Sequence, residues 1–194
     1  LNDQSEYETP EFTPLDPPFM GFQYHIGPFN VEANTEREFL YYFPQEASEY
    51  YITQVEFSMS PGTHHLIAYM FSDNYFGEEP NPYEYRDIHF PYVGSFDEMI
   101  INVMTLQEHT FVFGTQWPLW NYTLPEGTGL KVDSDFGLDI NPHYFNYSDE
   151  PLQGELYLNF HTALPQDIQR EAGILQLGYN NIELPPNQET TITT

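Results

Sequence analysis

Between Tyr51 and Met59 the chain alternates with a period of two. Tyr51, Thr53, Val55, Phe57 and Met59 fall on one side, and Ile52, Gln54, Glu56 and Ser58 on the other. Only an extended backbone sends every second side chain to the same face, so this stretch specifies a β-strand with one apolar surface. Gly154–Leu164 repeats the pattern, with Leu156, Leu158 and Phe160 set against Glu155, Tyr157, Asn159 and His161. Shorter apolar stretches at Phe22–Ile26, Glu36–Phe43, His65–Phe71, Met99–Leu106, Thr110–Phe113, Leu138–Tyr147 and Gly173–Gly178 read as further strands. A strand also follows the turn at Leu124–Gly129, and another is expected at Thr190–Thr194. Breaks such as Gly27-Pro28, Pro44 and Pro61-Gly62 separate them, as 17 Pro and 12 Gly allow. The 16 Tyr and 16 Phe suit half-buried pleated surfaces. No long helical period and no internal repeat competes, so the expected fold is all-β, an antiparallel jelly-roll-like β-sandwich.

A length of 194 residues fits one large β domain. Residues 1–20, punctuated by Pro10, Pro14, Pro17 and Pro18, read as an extended leader and a processed N-terminus. Residues 21–183 form the expected domain, with 72–98 as a long polar surface excursion. Residues 184–194, opening on Leu184-Pro185-Pro186, read as a C-terminal strand or linker.

Charge narrows the partners. Thirty acidic residues against four basic ones give a formal net charge of -26. Such a surface repels nucleic acid and anionic membrane, so neither is an expected partner. No apolar run approaches the about 18 residues that a spanning helix needs, so no membrane insertion is expected. Cysteine is absent, which removes disulfides and thiolate chemistry. Processing, together with a charge that salt would screen, points to an extracellular, periplasmic or cell-surface location. A phosphate-binding glycine loop and a nucleophile elbow are both lacking. Asp133-Ser134-Asp135 is only a fragment of a calcium loop.

The seven histidines are the natural metal ligands in this chain, and His64-His65 is the sharpest feature among them. Adjacent side chains on a regular strand point to opposite faces. Both imidazoles can reach one ion only if the backbone bulges or turns, and Pro61-Gly62-Thr63 supplies such a place. The bland alternative puts one histidine in the core and the other at the surface. His143, in Asn141-Pro142-His143-Tyr144, is the best third ligand. Three imidazoles without thiolate suit either a type 2 copper site or a three-histidine zinc site. His25, His109 and His161 read as hydrogen-bonded core or rim residues, and His89 as a solvated loop residue. Trp117-Pro118-Leu119-Trp120 reads as a hydrophobic plug under a loop, or less simply as a sugar or apolar-ligand platform.

Three segments in order carry a resemblance: Pro61-Gly62-Thr63-His64-His65-Leu66, Leu124–Val132 and Pro142-His143-Tyr144. Ala172–Leu175 and Leu184–Asn187 extend it. With these segments the chain resembles the N-terminal domain of the copper type II ascorbate-dependent monooxygenases, which include peptidylglycine α-hydroxylating and dopamine β-monooxygenases. The resemblance implies two jelly-roll-like domains, each with one copper. It implies that His64, His65 and His143 bind the first copper, which supplies an electron. The second copper, held by a His-x-His pair and a Met in a second domain, would carry out the hydroxylation. This chain has no His-x-His, stops where that domain would start, and lacks the family's disulfides.

The expectation is therefore a secreted copper-binding domain, the electron-transfer half of such an enzyme, whose partner is a second catalytic domain. The alternative is an extracellular structural or assembly module with the same fold and no catalysis, forming homo-oligomers by strand addition. A carbohydrate-binding sandwich using Trp117 and Trp120 is a third reading.

Overall fold

A computed structural model describes residues 11–44, 49–71, 77–106, 109–133, 137–175, 185–187, 189 and 191. Strands β1 (Gly21–Val31), β2 (Thr35–Phe43), β3 (Glu49–Met59) and β4 (Thr63–Phe71) follow one another with short connections. The short β5 (Tyr85–Asp87) and helix α1 (Phe96–Thr105) come next. Then follow β6 (His109–Thr115), β7 (Leu119–Thr123), β8 (Thr128–Asp133), β9 (Leu138–Asn146), β10 (Leu152–Ala163) and β11 (Arg170–Ala172).

Two sheets face each other. One runs β1-β10-β3-β8-β11, with β7 also on β3, and the other β5-β2-β9-β4-β6. The interleaved orders β1-β10-β3-β8 and β2-β9-β4-β6 are those of a jelly roll. All pairings are antiparallel except β11 on β8. The alternating residues do as the period requires: Val55, Phe57, Met59, Leu156, Leu158 and Phe160 all lie in the core. They meet Phe39, Leu66, Ile140 and Tyr144 from the other sheet.

The run Met99–Leu106 is not a strand. Phe96–Thr105 is a helix, capped by Ser95, whose side chain accepts a hydrogen bond from the Glu98 backbone N–H. Asp97 and Glu98 in the first turn complement the positive end of the helix dipole. Ser95 three residues before Glu98 is the capping signature, and it prevails over the β-branched character of Ile100, Ile101 and Val103. The proposed strand Gly173–Gly178 is displaced to Arg170–Ala172; Gly173–Leu175 have no regular structure, and the remainder lies outside the described residues. Of Thr190–Thr194 all but Thr191, and most of 184–194, also lie outside them.

Residues 11–18 are extended, yet they are not a free tether. Ser58 donates to the Thr13 carbonyl at 2.6 Å, Gln23 to Leu15 at 2.9 Å, and Asn159 to Asp16 at 2.8 Å. These three donors come from β3, β1 and β10, so the segment crosses the outer face of one sheet. Prolines there withhold N–H groups, and the contact is made through carbonyls. This cover explains why polar Ser58 and Asn159 are buried.

On the same face, Glu56 accepts from Asn159 at 3.2 Å and lies 2.7 Å from His161 Nε2. Burial works to raise its carboxyl, but the hydrogen bonds to His161 and Asn159 prevail and hold it below the ordinary range. A carboxyl lowered on folding contributes stability above its unfolded pKa and loses it as pH falls through the folded value. Thermal melts of Glu56→Gln between about pH 5 and pH 3 should therefore show a shallower acid decline than wild type. Parallel declines would refute this role for Glu56.

Candidate metal centre

The second sheet places a row of polar side chains on the face turned away from the core. Along β9, Ile140 and Tyr144 point inward, so Asp139, Asn141 and His143 point outward. Across the sheet, His143 pairs directly with Glu38 of β2 on one side and with His65 of β4 on the other. One carboxylate and two imidazoles thus lie in a single row over adjacent strands.

His64 joins them through a bulge. The β4–β9 register steps between Thr63 and His65, which leaves His64 as the extra residue. The turn before it is built on Gly62, with φ +94°, where a side chain would collide with Leu152. Gly62 is tied to β9 by a 2.8 Å bond from the Phe145 N–H to its carbonyl. The bend expected at Pro61-Gly62-Thr63 is present, and it turns both adjacent imidazoles to the same side.

The three rings form a nearly equilateral triangle, with centroids 5.3 Å (His64–His65), 5.2 Å (His64–His143) and 5.0 Å (His65–His143) apart. His64 Nδ1 and His65 Nδ1 are 3.1 Å apart. One nitrogen from each ring falls within 4.8 Å of the others. Bonds of about 2 Å to one ion need nitrogens about 3–4 Å apart, and the His64–His65 pair already satisfies this.

Carboxylates stand behind the rings. His143 Nε2 is 3.0 Å from Glu36 Oε2, and its Nδ1 is 3.7 Å from Glu38 Oε2. His89 Nε2 is 3.0 Å from Glu38 Oε2. His65 Nε2 is 3.6 Å from Glu38 Oε1, beyond hydrogen-bond length, and has no hydrogen-bond partner. Burial would raise the Glu38 carboxyl, but His65, His143 and His89 around it outweigh that and bring it down to about 2. Burial lowers His143 despite the pull of Glu38 and Glu36, so its ring is neutral and offers a lone pair at pH 7. This donor set fits a divalent metal. It offers three imidazoles, one with a buried nitrogen lacking a hydrogen bond, and carboxylates placed to orient the rings.

Three members were not foreseen in the sequence. Glu36 and Glu38 sit two apart on β2, on the face opposite Arg37, which bonds Asp87 at 2.8 and 3.1 Å. His89 is not merely solvated: besides bonding Glu38, its ring stacks on His143 at 5.7 Å. Glu36, His89 and His143 form a second convergent group within 4.8 Å. Period two alone would have paired Glu36 with Glu38, but only the β2–β9 register brings them to His143.

The other histidines are hydrogen-bonded structural residues. His25 lies 2.9 Å from Glu155, and His161 pairs with Glu56. The His109 side chain is fully buried between the Thr105 carbonyl at 2.6 Å and Asp139 at 2.8 Å. Trp117 and Trp120 do not plug a core, since they are 50 % and 38 % exposed on and beside β7. No helix among the described residues is long and apolar enough to cross a membrane. No protein-family model matches the chain, and no curated protein is found similar to it.

Proposed function

We propose that this is a secreted copper-binding domain in which His64, His65 and His143 hold a type 2 copper, as in the electron-transfer half of a copper- and ascorbate-dependent monooxygenase. The observation that supports it most is the bulge at His64, which aims two neighbouring imidazoles at the His143 ring. All-nitrogen donor sets favour Cu(II) over the other common divalent ions. A copper held this way would accept and pass on single electrons.

The protein's own groups do the positioning. Glu38 holds the His89 ring at 3.0 Å and stands 3.6 Å from His65 Nε2, and Glu36 holds His143 at 3.0 Å. Depressed basicity keeps His143 unprotonated and ready to ligate. In such an enzyme the hydroxylating centre would belong to a second catalytic domain.

Titrating the metal-free protein with Cu(II) should give one tight equivalent, reducible by ascorbate and reoxidised by an added oxidant. Loss of tight binding in His64→Ala would be expected. Weak binding of several equivalents, unaltered in that variant, would defeat the proposal. Glu38→Gln should keep the stoichiometry but lower the affinity about 10- to 100-fold, as loss of an orienting carboxylate does. An unchanged affinity would remove Glu38 from the site.

A second reading is supported by the Glu36–His89–His143 group, a mixed nitrogen–oxygen set suited to zinc. It predicts that His89→Ala, rather than His64→Ala, abolishes metal binding.

A further inference from the structure

An open cleft of about 580 Å³ adjoins the histidine cluster. It lies where β6, the edge of one sheet, passes over to β7, on the edge of the other. His65 forms part of its wall, and Phe111, Phe113, Trp117, Trp120 and Tyr122 supply five aromatic rings. Its size is that of a small-molecule site. Gly114 also lines it, and a Cβ at that position would crowd Phe111, Leu66 and Ile67.

We infer that this cleft binds a flat aromatic molecule that is neutral or positively charged. Ring faces and edges offer stacking and edge-to-face contacts to another ring. They also attract cations, because the faces of aromatic rings are electron-rich. A sugar would need a circle of hydrogen-bonding groups, and besides His65 the wall carries few polar side chains, Thr115 and Gln116 among them. The charge of the surroundings sets the sign. The protein carries a net -26, and the Glu38 carboxylate lies 3.6 Å from the wall residue His65. An anion entering here meets repulsion that a cation does not. That the ligand then lies next to a redox metal rests on the copper reading; binding in the cleft does not.

The chain has two tryptophans, and both line this cleft, so tryptophan emission reports on the site. Metal-free protein would be titrated at low salt with benzyl alcohol, benzyltrimethylammonium and benzoate. The first two should quench or shift the emission saturably, with Kd on the order of 1 mM for fragments of this size. Benzoate should bind at least about tenfold more weakly, and added salt should narrow the gap. Trp120→Ala should weaken the first two about five- to tenfold, read through Trp117, and Trp120→Phe should restore them. Unsaturable responses, equal binding of all three probes, or binding indifferent to Trp120→Ala would overturn the inference. A parallel titration of the Cu(II)-loaded protein should show benzyltrimethylammonium, which is no copper ligand, perturbing the EPR spectrum. The metal-free arm judges the cleft even if copper fails to bind, and absent aromatic binding leaves the copper reading standing.

Discussion

Replacing His143 with alanine is expected to weaken Cu(II) binding by at least about a hundredfold while leaving the fold intact. The ring occupies the middle of the row, between Glu38 and His65, and its centroid is 5.2 Å from that of His64. Losing an orienting carboxylate behind a ligand already costs about 10- to 100-fold, so losing a ligand should cost more. His143 is also the member shared by both convergent groups. Its removal therefore tests for any metal on this face, and His64→Ala against His89→Ala then tells which group holds it. Calorimetric titration provides the measurement. Affinity within a factor of three of wild type would show that the metal lies elsewhere.

The second large effect concerns stability. Asp139→Ala is expected to destabilise the domain by about 3–5 kcal/mol, the usual cost of removing one partner from a buried ionic cluster. Asp139 is fully buried, two residues before Asn141 and four before His143 on the same face of β9. Its carboxylate accepts from Arg86 through one oxygen and meets His109 Nε2 at 2.8 Å through the other. Arg86 is 17 % exposed and His109 not at all, so neither can recover full hydration when the carboxylate goes. For a domain of this size the melting temperature should fall on the order of 10 °C. Asp139→Asn, which keeps an acceptor, should fall less. A shift below about 2 °C for the alanine variant would mean that the cluster contributes little.

The strands were legible where one face is apolar and the other polar. Tyr51–Met59 falls within β3 and Gly154–Leu164 overlaps β10, because a one-residue slip would turn Glu56 or Asn159 towards the core between the sheets in place of Phe57 or Phe160. The helix was harder to read. Ile100, Ile101 and Val103 carry strand propensity, and α1 leaves them exposed, so burial gives no periodic signal there. The cap at Ser95 and Glu98 was the only local cue.

The site divides the same way. His64, His65 and the bend before them are local, and a chemical argument from adjacent imidazoles on a strand reaches them. Glu36, Glu38 and His89 come together with His143 through the register of β2 on β9 and the placement of the segment after β5. Thirty acidic residues gave no ground for choosing these two. Long-range pairing made the choice.

The most direct test is the EPR spectrum of the protein loaded with one equivalent of Cu(II). The copper reading predicts an axial type 2 spectrum with hyperfine splitting from imidazole nitrogens, absent in His64→Ala and His143→Ala. A spectrum without nitrogen splitting, or one identical in wild type and both variants, would contradict it.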